Sequence, residues 1–205
     1  MNKELQSFIK NYTENRISFE KTVFFASKKN TVFLFEDKIF KFYVWGDIEK
    51  EFEILKKCEK SGISVPEIKH KENNILVLEY IKPDLDYTEN PDIKIPEVIR
   101  WLNVFHKKIQ ISKGDQRLHN YILNNNKIYG IDFEESEKTD TFADFIDLMV
   151  TIYSKYGIKK VEENLKHYDK SLQLKNIIDE MNKNILNRRK WNENIESLET
   201  GMKRE

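Results

Sequence analysis

Asp115, Asn120 and Asp132 are the residues of this chain whose types and spacing could do chemistry together. Asp115 follows Gly114 after an apolar-striped helical segment, and Asn120 lies five positions on, immediately before a short β-rich run. Asp132 closes a second such run, Ile128 to Ile131, and precedes Phe133. A loop bearing Asp and Asn, then a hairpin ending in Asp, brings oxygen-bearing side chains to one edge. Hard oxygen ligands suit Mg²⁺, which takes one or two carboxylates together with substrate phosphates.

The elements that must position these groups change character near residue 82. Before it, short β-rich runs surround one helix; after it, helical periods dominate around one β patch. Residues 3–11 read as a helix. Thr22 to Phe25 and Thr31 to Phe35 read as a hairpin around the polar turn Ser27-Lys28-Lys29-Asn30. A third strand, 39–44, puts Lys41 on one face with Ile39 and Tyr43. An acid-rich start at Asp47 opens a helix with Phe52, Leu55 and Cys58 at helical spacing and Gly62 as its C-terminal cap. A second hairpin turns near 71–74 and ends in a strand over 75–81. Pro83 and Pro91 mark a loop, and Pro96 fits the start of a helix striped by Val98, Trp101, Leu102 and Phe105. Two short strands, 121–123 and 127–131, flank an Asn turn. Helices follow over 142–156, 158–169 and 171–198. This organisation predicts an α+β protein, with a β-rich domain over 1–81 and a helical domain over 82–205.

Composition excludes several classes. Lys+Arg and Asp+Glu number 35 each, so no global basic field awaits nucleic acid. Cys58 is the only cysteine, which rules out an internal disulfide and a cysteine-built zinc site and leaves it a small buried hydrophobe. Apolar runs are far too short to span a bilayer. The N-terminal segment lacks the apolar stretch of a signal peptide, so a soluble cytoplasmic protein is expected.

Lys113-Gly114-Asp115, Asn120-Tyr121-Ile122-Leu123 and Ile131-Asp132-Phe133 resemble the signature of the protein-kinase-like fold. The aminoglycoside phosphotransferase branch and small atypical kinases (RIO-like and tRNA-threonylcarbamoyl-complex-associated) look most similar, over roughly residues 20–150. The resemblance implies a bilobal α+β fold, with a β-rich N-lobe and a reduced helical C-lobe, and an ATP- and Mg²⁺-dependent kinase acting on a hydroxyl. It implies that Lys41 meets the α- and β-phosphates and that Glu51 pairs with it, Glu53 being the weaker candidate. The backbone of Glu79 and Ile81 would hold adenine beside Leu78. Asp115 would orient the acceptor hydroxyl, Arg117 would lie near the transferred phosphoryl, and Asn120 and Asp132 would hold Mg²⁺. Asp147, with Asp144 competing, would brace the catalytic-loop backbone. The acceptor, a small molecule, glycan or protein, stays open.

The chain departs from the pattern in three places. The phosphate-covering turn Ala26 to Asn30 has no glycine, Lys113 stands in place of a His, and Glu134 in place of a Gly. These motivate an alternative, a weak or inactive pseudokinase serving as a nucleotide-binding or scaffold protein. Taken singly, each site residue has a plainer reading: Lys41 as an edge lysine, Glu51 as helix surface, Asp115 and Asn120 as turn formers. Their order is what points to kinase chemistry. The 15 positions from Asp132 to Asp147 leave no room for a long activation loop. Arg188-Arg189-Lys190 could touch RNA or an acidic partner, but nearby Glu193, Glu196 and Glu199 favour a solvated helical face. His106 and His119 read as structural.

Overall fold

The computed structural model describes residues 7, 22–25, 29–84 and 91–202. The helix expected over 3–11, the turn residues 26–28 and the side chains of Arg189 and Lys190 lie outside the described residues.

Strands β1 (Val23–Phe25), β2 (Thr31–Phe35) and β3 (Lys38–Phe42) lead into helix α1 (Ile48–Lys60), and β4 (Ile68–Glu72) and β5 (Ile75–Glu79) follow. They form one antiparallel sheet in the order β1-β2-β3-β5-β4. Phe33, Phe35, Phe40, Phe42, Ile75 and Val77 cluster together, and Phe33 stacks on Phe40 with ring centroids 5.1 Å apart. The alternate positions of β3 face the other way. There Tyr43, Leu76 and Leu78 join the main core with Ile54, Leu55 and Cys58 of α1. Lys41 lies on this second face, as the alternation predicts.

Helix α1 starts where Asp47 accepts the N–H groups of Glu49 and Lys50 at 2.9 and 3.2 Å. It ends at a left-handed Gly62, φ +66°, with Ile63 N–H bonded to the Cys58 carbonyl and Gly62 N–H to that of Glu59. Its buried residues are Glu51, Ile54, Leu55 and Cys58, so Glu51 rides on the apolar stripe.

The rest is helical around one hairpin. Helix α2 (Pro91–Ile109) precedes a 3₁₀ turn (Leu118–Asn120), then β6 (Tyr121–Asn124) and β7 (Lys127–Gly130). Helices α3 (Thr141–Tyr156), α4 (Ile158–Asn164) and α5 (Leu174–Met202) complete the chain's elements. Asn125 and Asn126 both have positive φ, the geometry a two-residue hairpin turn requires. Residues 82–84 run beside β6, with Asp84 N–H on the Leu123 carbonyl at 2.9 Å. Among the described residues no helix is long and apolar enough to cross a membrane.

Helix boundaries differ from expectation by three residues or more at four places, one of them the end of helix α5, which runs on to Met202 instead of 198. Helix α2 begins at Pro91, and Pro96 sits inside it, where it cannot donate to the carbonyl one turn back. Helix α4 gives way to a 3₁₀ turn at Leu165–His167; the Asn164 side chain bonds the Lys160 carbonyl at 2.8 Å and competes with the backbone donor there. Helix α5 starts three residues late because Asp169 accepts from both Ser171 N–H and Ser171 Oγ, holding that stretch as a turn.

Candidate active site

Lys41, on β3, is buried and donates from Nζ to Glu51 Oε2 at 2.8 Å and to Asp132 Oδ1 at 3.0 Å. Glu134 Oε1 lies 2.6 Å from the same nitrogen. Burial works against the ammonium, yet the carboxylates of Glu51, Asp132 and Glu134 outweigh it and raise the pKa above lysine's ordinary value. Glu51 is itself buried and fully partnered. Oε2 takes Lys41 and the Tyr43 hydroxyl, and Oε1 accepts Phe133 N–H at 3.3 Å. Burial first, then Glu51, raises the Tyr43 phenol's pKa. Helix α1 thus holds Lys41 with one oxygen and the segment after Asp132 with the other. Glu53 is exposed and meets neither.

Asp132 adopts a positive φ of +61°, a strained backbone for a residue with a side chain, which turns the chain sharply after β7. Its amide neighbour Ile131 donates to the Asn120 carbonyl at 3.0 Å, so β7 delivers Asp132 beside Asn120. Asn120 is buried and donates from Nδ2 to the Asp115 carbonyl at 3.3 Å. Asp115 carries Arg117 on its carboxylate: Nε lies 2.7 Å from both oxygens, and an Arg117 terminal nitrogen also donates to Oδ2. Burial favours the neutral acid, but the Arg117 bonds outweigh it and hold the Asp115 pKa below the usual carboxylate value.

The catalytic-loop candidate is braced from below. Asp144 of α3 accepts Lys113 N–H at 2.7 Å and Gly114 N–H at 3.2 Å. His106 Nε2 is 2.8 Å from Asp144 Oδ2, and because a carboxylate only accepts, that nitrogen carries the proton. Tyr168 meets the other ring nitrogen at 2.8 Å. Asp147 does not brace this loop. It binds Arg188 and accepts from Asn184 Nδ2 at 3.3 Å, docking α5 on α3. Arg188 is therefore spent inside the molecule. Gly114 has φ +85°, and a Cβ there would lie 2.7 Å from the Glu135 backbone, so only glycine fits.

At the end of β5, Glu79 N–H already bonds the Glu67 carbonyl at 2.9 Å, which leaves its carbonyl as the group it can offer. Ile81 is buried just beyond.

Several residues in or next to this site stood outside the candidate set. Asn30 donates to Glu134 at 2.6 Å and accepts Val44 N–H at 3.0 Å. Lys29 pairs with Glu135 at 3.0 Å, and Lys50 Nζ donates to the Glu134 carbonyl at 3.0 Å. Lys113 is fully buried, and burial brings its pKa down to about 8. Lys113 and Glu134 left a trace in the sequence as departures from the motif, and Lys29 and Asn30 as part of the glycine-free turn.

The RIO domain matches residues 2–165 of this chain. No curated protein matches it. Among solved structures, the streptomycin-ATP-APH(2")-IIa ternary complex is similar with a TM-score of 0.66 at 13% identity, covering 93% of this chain and 88% of that one. Amicoumacin kinase hAmiN in complex with AMP-PNP, Ca²⁺ and Ami gives 0.63 at 12%, covering 83% and 79%. Choline kinase LicA from Streptococcus pneumoniae gives 0.60 at 16%, covering 81% and 80%. These likenesses carry the fold, an α+β protein-kinase-like architecture. With four fifths of its length matched, the chain belongs to the RIO domain family.

Proposed function

We propose that this chain is a phosphotransferase that moves a phosphoryl group from ATP, with Mg²⁺, to a hydroxyl of a small molecule, glycan or protein. The observation that carries the reading is the convergence on Lys41 Nζ of Glu51 at 2.8 Å, ten positions on, and Asp132 at 3.0 Å, 91 positions on. Nucleotide would lie between a lobe of residues 1–81 and a lobe of residues 82–205, with the Glu79 carbonyl and the Ile81 N–H at adenine. Lys41 would meet the phosphates, and Glu51 would hold it in place. Asp115, which Arg117 helps to keep ionised, would accept a hydrogen bond from the acceptor hydroxyl, orient it and take its proton late in the transfer, and Arg117 would add positive charge near the transferred group.

The donor set fits Mg²⁺. Asn120 spends its amide N–H on the Asp115 carbonyl, so its side-chain oxygen is the ligand it can offer, and Asp132 adds a carboxylate. When bound, the ion neutralises charge on the phosphates. Every remaining part of this mechanism is positioning by Lys41, Glu51 and Asp115.

Single-turnover transfer of label from ATP into a cell extract tests the proposal. Asp115→Asn is expected to lower labelling on the order of 100-fold. Equal labelling by both proteins would remove Asp115 from the mechanism.

One observation favours a second reading, a pseudokinase scaffold: the Glu134 carboxylate holds Lys41 where a phosphate would. A thermal-shift titration with ATP and Mg²⁺ separates the two, since a ligand that binds only the folded state raises the melting temperature. No shift at millimolar ATP favours the scaffold.

A further inference from the structure

Lys113 is fully buried, yet no carboxylate lies within ion-pair distance of its ammonium among the described residues. Its Nζ instead donates to two main-chain carbonyls, those of Asp115 at 3.3 Å and Asp132 at 3.4 Å. The rings of Tyr121 and Phe133 flank it, with centroids 5.1 and 5.3 Å away. The residue's own backbone is equally committed. Its N–H goes to Asp144 at 2.7 Å, and its carbonyl accepts Ser136 Oγ at 2.7 Å. The Asp115 carbonyl that Lys113 holds is also the one that Asn120 holds.

A charge taken wholly out of water is costly unless its donors are met, and here two main-chain carbonyls meet them. Three segments meet here: the loop of Asp115, the turn of Asp132 and helix α3. An imidazole offers at most one donor to each side and a shorter reach; a lysine offers three donors from one atom and can serve both carbonyls.

We propose that Lys113 is the positioning residue that sets the spacing between Asp115 and the Asn120–Asp132 pair, acting through their backbone and touching no substrate. The proposal rests on the phosphotransferase reading for its consequence, but the pinning itself does not.

Lys113→Met keeps chain length and apolar burial while deleting the donors. Hydrogen exchange on the nucleotide-free protein reads the pinning directly. In Lys113→Met, amides of 114–120 and 131–136 are expected to exchange about 10-fold faster, with β2, β3 and β5 unchanged. Binding of N-methylanthraniloyl-ATP, with EDTA and then with MgCl₂, reads the consequence. The gain in affinity on adding Mg²⁺ should shrink about 10-fold while the EDTA affinity holds, and Lys113→His should restore part of that gain. Unchanged exchange in both segments would overturn the proposal. So would faster exchange with an unaltered Mg²⁺ gain, which would make Lys113 merely structural. Wild-type protein that binds no nucleotide under either condition would sink the phosphotransferase reading instead, and the exchange result would still decide the pinning.

Discussion

At Lys41 one ammonium faces three carboxylates, and the balance decides what a substitution there does. Removing the amine leaves Glu51 buried with only Tyr43 and the Phe133 N–H as donors. Lys41→Met is therefore expected to cost about 3 kcal/mol of stability, measured by urea unfolding, and Lys41→Met with Glu51→Met should recover part of it. An unchanged midpoint in the single variant would show that the pair is not buried as described. Asp115 sets a pH dependence of definite sign. Its folded pKa lies below the ordinary 3.8, so its contribution is present above that value and is lost as pH falls through the lower folded one. The stability lost between about pH 5 and about pH 3 should be smaller in Asp115→Asn than in wild type. An equal loss would mean that Arg117 does not hold the carboxylate in solution.

Helix α1 shows how an element makes a residue functional. Glu51 enters the core because it sits one turn before Ile54 and Leu55 and two before Cys58, and the Asp47 cap fixes where that register starts. Asp47→Ala is expected to cost about 1 kcal/mol in thermal or urea unfolding. If instead stability were unchanged, the first turn would be held by packing alone. The helix with Leu55 and Cys58 on its stripe was legible in the sequence, as were the hairpins and Lys41's face, because period-2 and period-3.6 patterns are local; the stripe expected from sequence runs through Phe52, which stays half-buried, and not through Glu51 and Ile54. The choice between Asp144 and Asp147 was not legible. They lie three positions apart on one helix and share a face, so only the hydrogen bonds of Lys113 and Gly114 separate them. The boundary at Pro91 was hidden for a related reason, since Pro91 and Pro96 both suit a helix start by local rules. The Asn30–Glu134 and Lys29–Glu135 contacts join residues 104 and 106 positions apart, a separation no spacing rule reaches.

Across the molecule, the sheet and α1 reach the helical part at residues 132–135 through charged and polar ties. Lys41 meets Asp132 and Glu134, Asn30 meets Glu134, Lys29 meets Glu135, Lys50 meets the Glu134 carbonyl, and Glu51 meets Phe133 N–H. Among these ties are Lys41, Glu51 and Asp132, the groups to which the proposed function gives the phosphates and the metal. On the proposed function, the Glu134 carboxylate at 2.6 Å from Lys41 would compete with phosphate oxygens for the same ammonium. A charge-assisted hydrogen bond has a net worth of about 1.5–3 kcal/mol, so relieving the competition should tighten nucleotide by roughly 10-fold or more. Glu134→Gln keeps the shape and an acceptor oxygen but lowers the charge facing Lys41. Its affinity for ATP in the presence of Mg²⁺, measured by calorimetry, is expected to exceed that of wild type, with the largest gain at low ionic strength, where the remaining ties are least screened. A weaker affinity would show that Glu134 helps to hold the bound nucleotide or its metal, and the contact with Lys41 would then be a resting place for a working side chain instead of a lock.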